Sequence, residues 1–272
     1  MRVAIQGEAG SFHHQAARLW FADDPTIIPK ETFTQTISAL SIDEADQALV
    51  AVENTLYGSI NEVLDLIETH SYPITGEIFL HIQQQLIGLS NAVPQDIQRI
   101  YSHPVALVQC EQYLDMHFPN AERIEHHDTA ASVRFIKEQN DPHAAAIAGT
   151  AAADLYQLPI LKHNIQDNQE NYTRFLVLNP HGINSAAANK SSLVLTTNHA
   201  PGSLSHALAI FAEAKVNLTK LQSRPIPGNP WQYTFYVDVE VAGRKLHDLI
   251  TTIESNGTNI KILGEYIAGT TH

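Results

Sequence analysis

Through residues 1–160 this chain alternates: short β-forming runs give way, across small or polar corners, to stretches whose apolar side chains recur at helical spacing. "RVAIQG" reads as a buried strand, "GEAG" as a glycine turn and "SFHHQAARLWF" as a helix with Ser11 as N-cap. The scheme returns in "TIIPK" before "TFTQTISALSI", and in "QALVAVE" before "SINEVLDLIETH", where Ile60, Val63, Leu64 and Ile67 share one face. It continues in "RIYSHPVALVQCEQYLDMHF", in "ERIEHHDTAASVRFIKEQ", where Asp128 or Thr129 opens the helix, and in "HAAAIAGTAAADLY". Such alternation predicts an α/β fold with a largely parallel sheet and helical crossovers. Gly7 and Gly10 lack the third glycine of a dinucleotide fingerprint, yet the turn is expected to aim free backbone N–H groups at a ligand.

Two segments break the scheme. "YPITGEIFLHIQQQLIGL" is rich in β-formers and is expected to carry the chain into a second lobe, and "LPILKHNIQDNQENYTRFLVL" offers strands on either side of a polar loop. After Pro180, "HGINSAAANKS" is small and polar with no apolar period, so a linker and a domain boundary are expected there. Beyond it the order of elements is βαββαβ, a ferredoxin-like plan, with "PGNP" turning the central hairpin.

Composition excludes several classes. Net charge is -13 with no Lys/Arg block, which repels polyphosphate and discounts nucleic acid as a partner. No window approaches the apolar length of a bilayer span, and "MRVAIQGEAG" has no secretory h-region, so no membrane partner and a cytoplasmic location are expected. The single cysteine, Cys110, reads as a small buried hydrophobe. Among fifteen histidines, the pairs His13-His14 and His126-His127 lack the i, i+4 spacing of zinc hydrolases, so no metal site is assigned.

Polar clusters stand at the strand-to-helix corners: Gly7 to Ser11, Glu53-Asn54-Thr55, Ser102-His103, Asp128-Thr129, and Thr173-Arg174. In open α/β sheets such corners face a shared crevice. Taken singly they read as helix caps, Thr173 as an ordinary β-former and Arg174 as an edge charge. Glu53-Asn54 is the stronger signal, because an apolar strand runs straight into a carboxylate and an amide. Convergence of all five would make a cleft for a small, oxygen-rich molecule.

With "GEAGSF", "VENTLYGSINEVLDLI", "YSHPVALVQC", "DTAAS", "NYTRFLVL", "PGSLSHAL" and "LQSRP" in this order, nearly the whole chain resembles prephenate dehydratase with a C-terminal ACT regulatory domain. The helical chorismate mutase region fused to some relatives is not seen, so the monofunctional form is expected. The resemblance implies a two-lobed, periplasmic-binding-protein-like catalytic domain over 1–180, with lobes of about 1–77 plus 163–180 and 78–162. A ferredoxin-like ACT domain is implied over 190–272. Departures are Glu8 for the family's proline, Ser11 for threonine, Thr55 for serine, Ser203 and Ser205 for apolar residues, and Gln222 for glutamate.

The resemblance further implies decarboxylating dehydration of prephenate to phenylpyruvate, in phenylalanine biosynthesis, without metal or organic cofactor. Arg174 is expected on a substrate carboxylate and Thr173 as hydrogen-bond donor to the leaving hydroxyl, with His103 or Glu53 resupplying the proton. Gly10, Ser11, Phe12, Asn54, Thr55, Ser102, Gln109 and Thr129 are expected to complete the pocket, with Phe175 packing beside it. Phenylalanine is the implied effector, bound between paired ACT domains of a homodimer or homotetramer. Its implied contacts are Gly202, Ser203, Leu204, Asn217, Leu218, Ser223 and Arg224. Two rivals remain: an arogenate dehydratase, and a non-catalytic solute sensor of the same two-lobed build.

Overall fold

The computed structural model describes residues 1–21, 24–182, 185–198, 200–226, 228–229 and 231–272. They fall into two compact units: Met1–Gly58 with Ile78–Phe175 and Thr271–His272, and Ser59–Glu77 with Leu176–Thr270. The chain order begins β1 (Arg2–Gln6), α1 (Phe12–Trp20), β2 (Thr26–Lys30), α2 (Phe33–Ser41), β3 (Gln47–Asn54), β4 (Gly58–Ser59), α3 (Asn61–His70) and β5 (Ile74–His81). It continues with β6 (Gln85–Gly88), β7 (Arg99–Ser102), α4 (Pro104–Gln109), α5 (Glu111–His117), β8 (Glu122–Glu125), α6 (Thr129–Gln139), β9 (Ala144–Ala148), α7 (Thr150–Tyr156), β10 (Ile160–Lys162) and β11 (Tyr172–Leu178). Helix α3 belongs to the second unit, while β4, β5 and β11 cross the division.

One sheet runs β2-β1-β3-β11-β5 with β4 on β3, and another runs β10-β6-β9-β7-β8. The fold is mixed α/β, and the expected largely parallel sheet is corrected in part. Strand β1 pairs parallel with β2 and β3, and β7 with β8 and β9, but β6 lies antiparallel to β9 and to β10. Strand β6 enters its sheet directly from β5 of the other sheet, so no strand–helix–strand unit sets its direction against β9 or β10. Two of these helices start at caps read from the sequence, and Thr32 adds a third. Ser11 accepts from His14 N, Thr32 from Gln35 N, and Asp128, rather than Thr129, caps α6 by accepting from Ala131 N.

The second unit ends in β12 (Lys190–Thr196), α8 (Ser203–Glu213), β13 (Leu218–Pro225), β14 (Tyr233–Val239), α9 (Gly243–Glu254) and β15 (Asn259–Tyr266). Their sheet is β13-β14-β12-β15, antiparallel throughout, as the βαββαβ reading requires. Leu193 and Leu195 of β12 alternate inward onto Phe211 of α8 and Leu246 of α9. Pro227 and Pro230 of the expected hairpin turn, and Ile183 and Asn184 of the expected linker, lie outside the described residues. No described helix is long and apolar enough to cross a membrane.

Within this unit Lys190 Nζ lies 2.8 and 3.0 Å from the carboxylate oxygens of Glu77, which also accepts from Gly269 N, and both side chains are buried. Removing one partner of such a pair strands a charge away from water. Lys190→Met is therefore expected to lower unfolding free energy by about 3–5 kcal/mol in urea titrations.

Candidate active site

Strand β3 is buried from Ala48 to Val52 and reaches the surface at Glu53 and Asn54. There the chain turns on the Asn54 side chain, whose Oδ1 accepts from Leu56 N (3.0 Å) and Tyr57 N (3.2 Å). With Oδ1 committed to two backbone donors, the other end of the amide must be the NH2 group. Its Nδ2 donates to Asn171 Oδ1 (2.8 Å), Tyr172 O (3.1 Å) and Thr173 Oγ1 (3.0 Å). Thr55 adds a second tie, donating from Oγ1 to Glu170 O and accepting from Tyr172 N. Its hydroxyl thus fastens the two loops together, where the sequence suggested substrate binding.

Because Thr173 Oγ1 already accepts a hydrogen bond, it can present its own proton outward, and among the described residues that proton has no acceptor. Arg174 is placed differently. Pleating sends successive side chains to opposite faces, so Thr173 shares a face with Phe175, and Arg174 points the other way. Its guanidinium stands 5.9 Å from the centre of the Phe79 ring and is 6% exposed. Phe175 packs at 5.0 Å, edge-on, against His13 of α1.

The other expected residues make contacts of their own. Ser102 Oγ donates to Ile147 O (2.6 Å) and is wholly buried. His103 caps α4 with Nδ1 accepting from Val105 N, which leaves Nε2 to carry the ring proton, and burial pushes its pKa down. Gln109 is gripped through Oε1 by Gln84 Nε2 (3.0 Å), close to where Gln84 N donates to Gln166 Oε1. Glu53 is half-buried, as is Thr129 in the first turn of α6.

The glycine turn corrects an expectation. Gly7 N donates to Lys30 O, Gly10 N to His14 Nδ1 and Ser11 N to Glu8 O, so these amides are not free for a ligand. The turn instead meets α6 and α7. A Cβ on Gly7 would stand 2.7 Å from Asp128 Oδ2, and one on Gly149 would stand 2.8 Å from the Phe12 ring. Gly10 similarly faces Ala152. Glu8 makes a two-pronged pair with Arg134 of α6 (3.0 and 2.9 Å), whose hydrogen bonds hold its carboxyl below the usual range. A cavity of about 480 Å³ opens here, lined by Gly7, Glu8, Lys30, His127 and Asp128 but not by Asn54 or Thr173. Burial raises the Asp128 carboxyl.

Sequence reasoning passed over Asn171, Gln84 and Arg134. Asn171 was findable, since in extended chain residues i and i+2 share a face and Asn171 is two before Thr173. The Glu8–Arg134 pair joins residues far apart in sequence, and no spacing rule reaches that far.

The residues expected to hold an effector lie in the second unit. Gly202 has φ +87 and precedes α8, Ser203 Oγ donates to Ala200 O, Leu204 lies in the first turn, and Ser205 Oγ donates to Gly202 O. On β13 and just before it, Leu218 pairs with Val239 and Asn217 Nδ2 reaches Glu240 Oε2, while Ser223 is exposed. Arg224 is already engaged by both carboxylate oxygens of Asp65 on α3, and Tyr236 hydrogen-bonds Glu68 on the same helix.

His13 gives a direct test of this packing. Its Nε2 accepts from Ala51 N (3.2 Å), and burial lowers its pKa from 6.5 to about 3. The folded chain therefore keeps His13 neutral where the unfolded chain protonates it, so stability falls as pH drops from 6.5 toward 3. From pH 6.5 to 5 the loss from this group is about 2 kcal/mol. Denaturant titrations of His13→Gln, which keeps an acceptor for Ala51 N, should show that part of the pH dependence gone.

A family model described as prephenate dehydratase matches residues 3–182. Prephenate dehydratase of Bacillus subtilis (strain 168) is 31% identical over 281 residues, covering 98% of each chain. Two solved structures are each 29% identical. GqqA, described as a novel type of quorum quenching acylase, has TM-score 0.88 over 98% of both chains. Prephenate dehydratase from Arthrobacter aurescens in complex with L-Phe has TM-score 0.87 over 98% of this chain and 90% of that one. A match over residues 3–182 takes in the Asn54 turn, the Thr173 strand and the one sheet that carries both, and the chain belongs to the prephenate dehydratase family.

Proposed function

We propose that the Asn54–Thr173 pair carries the elimination by which this dehydratase converts prephenate to phenylpyruvate. The bond from the ring to its carboxylate breaks, releasing carbon dioxide, and its electron pair becomes ring π density. The ring carbon–oxygen bond breaks in turn, and the departing hydroxide takes a proton to leave as water. Aromatisation supplies the driving force, so the protein has to hold the dianion and assist the leaving oxygen. One observation carries the assignment: Thr173 Oγ1 receives an N–H from Asn54, which leaves the hydroxyl as a donor. The same bond weighs against an acylase reading, where a nucleophilic oxygen needs a base to take its proton.

In this reading His103, with its proton on Nε2, or Glu53 resupplies the proton. Gln109, Ser102, Thr129 and the residues 10–12 shape the pocket. Arg174 is assigned to a substrate carboxylate as a charge acting from the opposite pleat, where burial and the Phe79 ring keep it rigid. The catalytic domain is taken as 1–180, with periplasmic-binding-protein-like lobes of about 1–77 plus 163–180 and 78–162. It is proposed to act in the cytoplasm.

We further propose that residues 190–272 are an ACT domain binding phenylalanine between paired domains of a homodimer or homotetramer. The βαββαβ sheet, the left-handed Gly202 at the head of α8, and the L-Phe held by the Arthrobacter aurescens enzyme support it. Arg224 bonded to Asp65 supplies a route for coupling, because α3 begins a few residues after Asn54. An effector that engages Arg224 would release that helix, and inhibition follows if it favours the less active arrangement.

Thr173→Val, which keeps shape and loses the hydroxyl, should lower kcat roughly a hundred- to thousand-fold in a phenylpyruvate assay corrected for spontaneous breakdown. Unchanged turnover would refute the donor role. Gly202→Val should leave turnover without effector near wild type while raising the phenylalanine concentration for half-inhibition at least about fivefold. Equal inhibition of both proteins would move the effector site elsewhere.

A further inference from the structure

Asn171 is wholly buried, yet among the described residues its Nδ2 has no hydrogen-bond partner. Its orientation is not open to exchange. The backbone amides of Leu56 and Tyr57 fix Asn54 Oδ1, so Asn54 presents Nδ2, and Asn171 must meet it with Oδ1. Reversing the Asn171 amide would set two NH2 groups against each other. The unpaired donor is thus the end of a directional chain that starts at two backbone N–H groups. A buried donor without an acceptor is costly, and an asparagine kept only for packing would be satisfied or replaced by an apolar residue.

We propose that Asn171 is a substrate-positioning residue of the dehydration: accepting from the Asn54 amide fixes which way its side chain faces, and its unpaired Nδ2 is kept for an oxygen of the bound substrate. This rests on the reading of Thr173 as the donor to the leaving hydroxyl. Geometry supports it in two ways. Asn171 and Thr173 flank Tyr172 and face the same side of extended chain, and Asn171 O accepts from Ile82 N (2.7 Å), which anchors the residue by its backbone. The side chain is therefore not needed to hold its own segment in place. Asn54 Nδ2 would also keep Tyr172 O and Thr173 Oγ1 as acceptors if the Asn171 side chain were apolar.

The consequence separates a functional role from a structural one. Asn171→Leu removes the unpaired donor, so its thermal midpoint should equal or exceed that of the wild-type chain, while kcat falls on the order of a hundredfold. A structural asparagine would show the reverse, a lowered midpoint with kcat kept in the folded fraction. The experiment measures thermal unfolding, kcat and KM on full-length wild type, Asn171→Leu, and Asn171→Ala as the variant that cannot overpack. Folded variants with lost kcat and an undiminished midpoint uphold the inference. Turnover within about threefold of wild type in either folded variant overturns it, as does a loss confined to stability. If Thr173→Val were as active as wild type, the donor reading would fail and take this inference with it. Failure of the Asn171 variants alone would leave that reading standing.

Discussion

An amide side chain has a donor end and an acceptor end, and at Asn54 the backbone decides which is which. Two N–H groups of the turn that Asn54 itself builds take its oxygen, and everything the NH2 group touches is thereby assigned. Asn171 and Thr173 meet it with acceptor oxygens, and the Thr173 hydroxyl keeps its own proton to donate. The arrangement couples two stretches more than a hundred residues apart through one hydrogen-bonded amide, with Thr55 pinning the same two loops from the side. Rigidity of this kind is what a donor needs if it is to meet a leaving oxygen without reorganising.

The glycine turn after β1 serves close approach. The amides of Gly7, Gly10 and Ser11 are taken by Lys30 O, His14 Nδ1 and Glu8 O, and the lack of side chains at Gly7 and Gly10 lets the first sheet's corner press on α6 and α7. Glu8 then reaches Arg134, an ionic contact at a position where the family's usual proline could form none. Histidines serve packing as well. His13 is held neutral against Phe175, and His14 closes the turn by accepting from Gly10. A chain with many histidines therefore has at least two whose chemistry is that of uncharged hydrogen-bond acceptors.

In the second unit the exposed-looking charges of the sequence are largely committed. Arg224 and Tyr236 bond to Asp65 and Glu68 of α3, and Lys261 donates to Glu68 O and Ser71. These contacts give the proposed regulatory domain a mechanical hold on a helix that lies close in sequence to Asn54. The buried Glu77–Lys190 pair ties the start of β12 to β5 by the same principle, charges compensated in place of water.

Nearly every element was legible in the residues, because a period of two or of 3.6 in apolar side chains is a local property and each segment carries it whole. The caps at Ser11 and Asp128 and the βαββαβ order were legible for the same reason. The antiparallel setting of β6 was not, since it depends on which strand the chain meets after leaving β5. Within the site, the sequence by itself determined that Glu53, Asn54, Thr173 and Arg174 stand where strands end. Tertiary structure decided the rest: that Asn54 grips Thr173, that Arg174 is buried beside Phe79, and that Asn171 is buried with a donor unpaired. Hydrogen-bond partners are chosen by distance in space, and along a chain that distance appears only after it has folded.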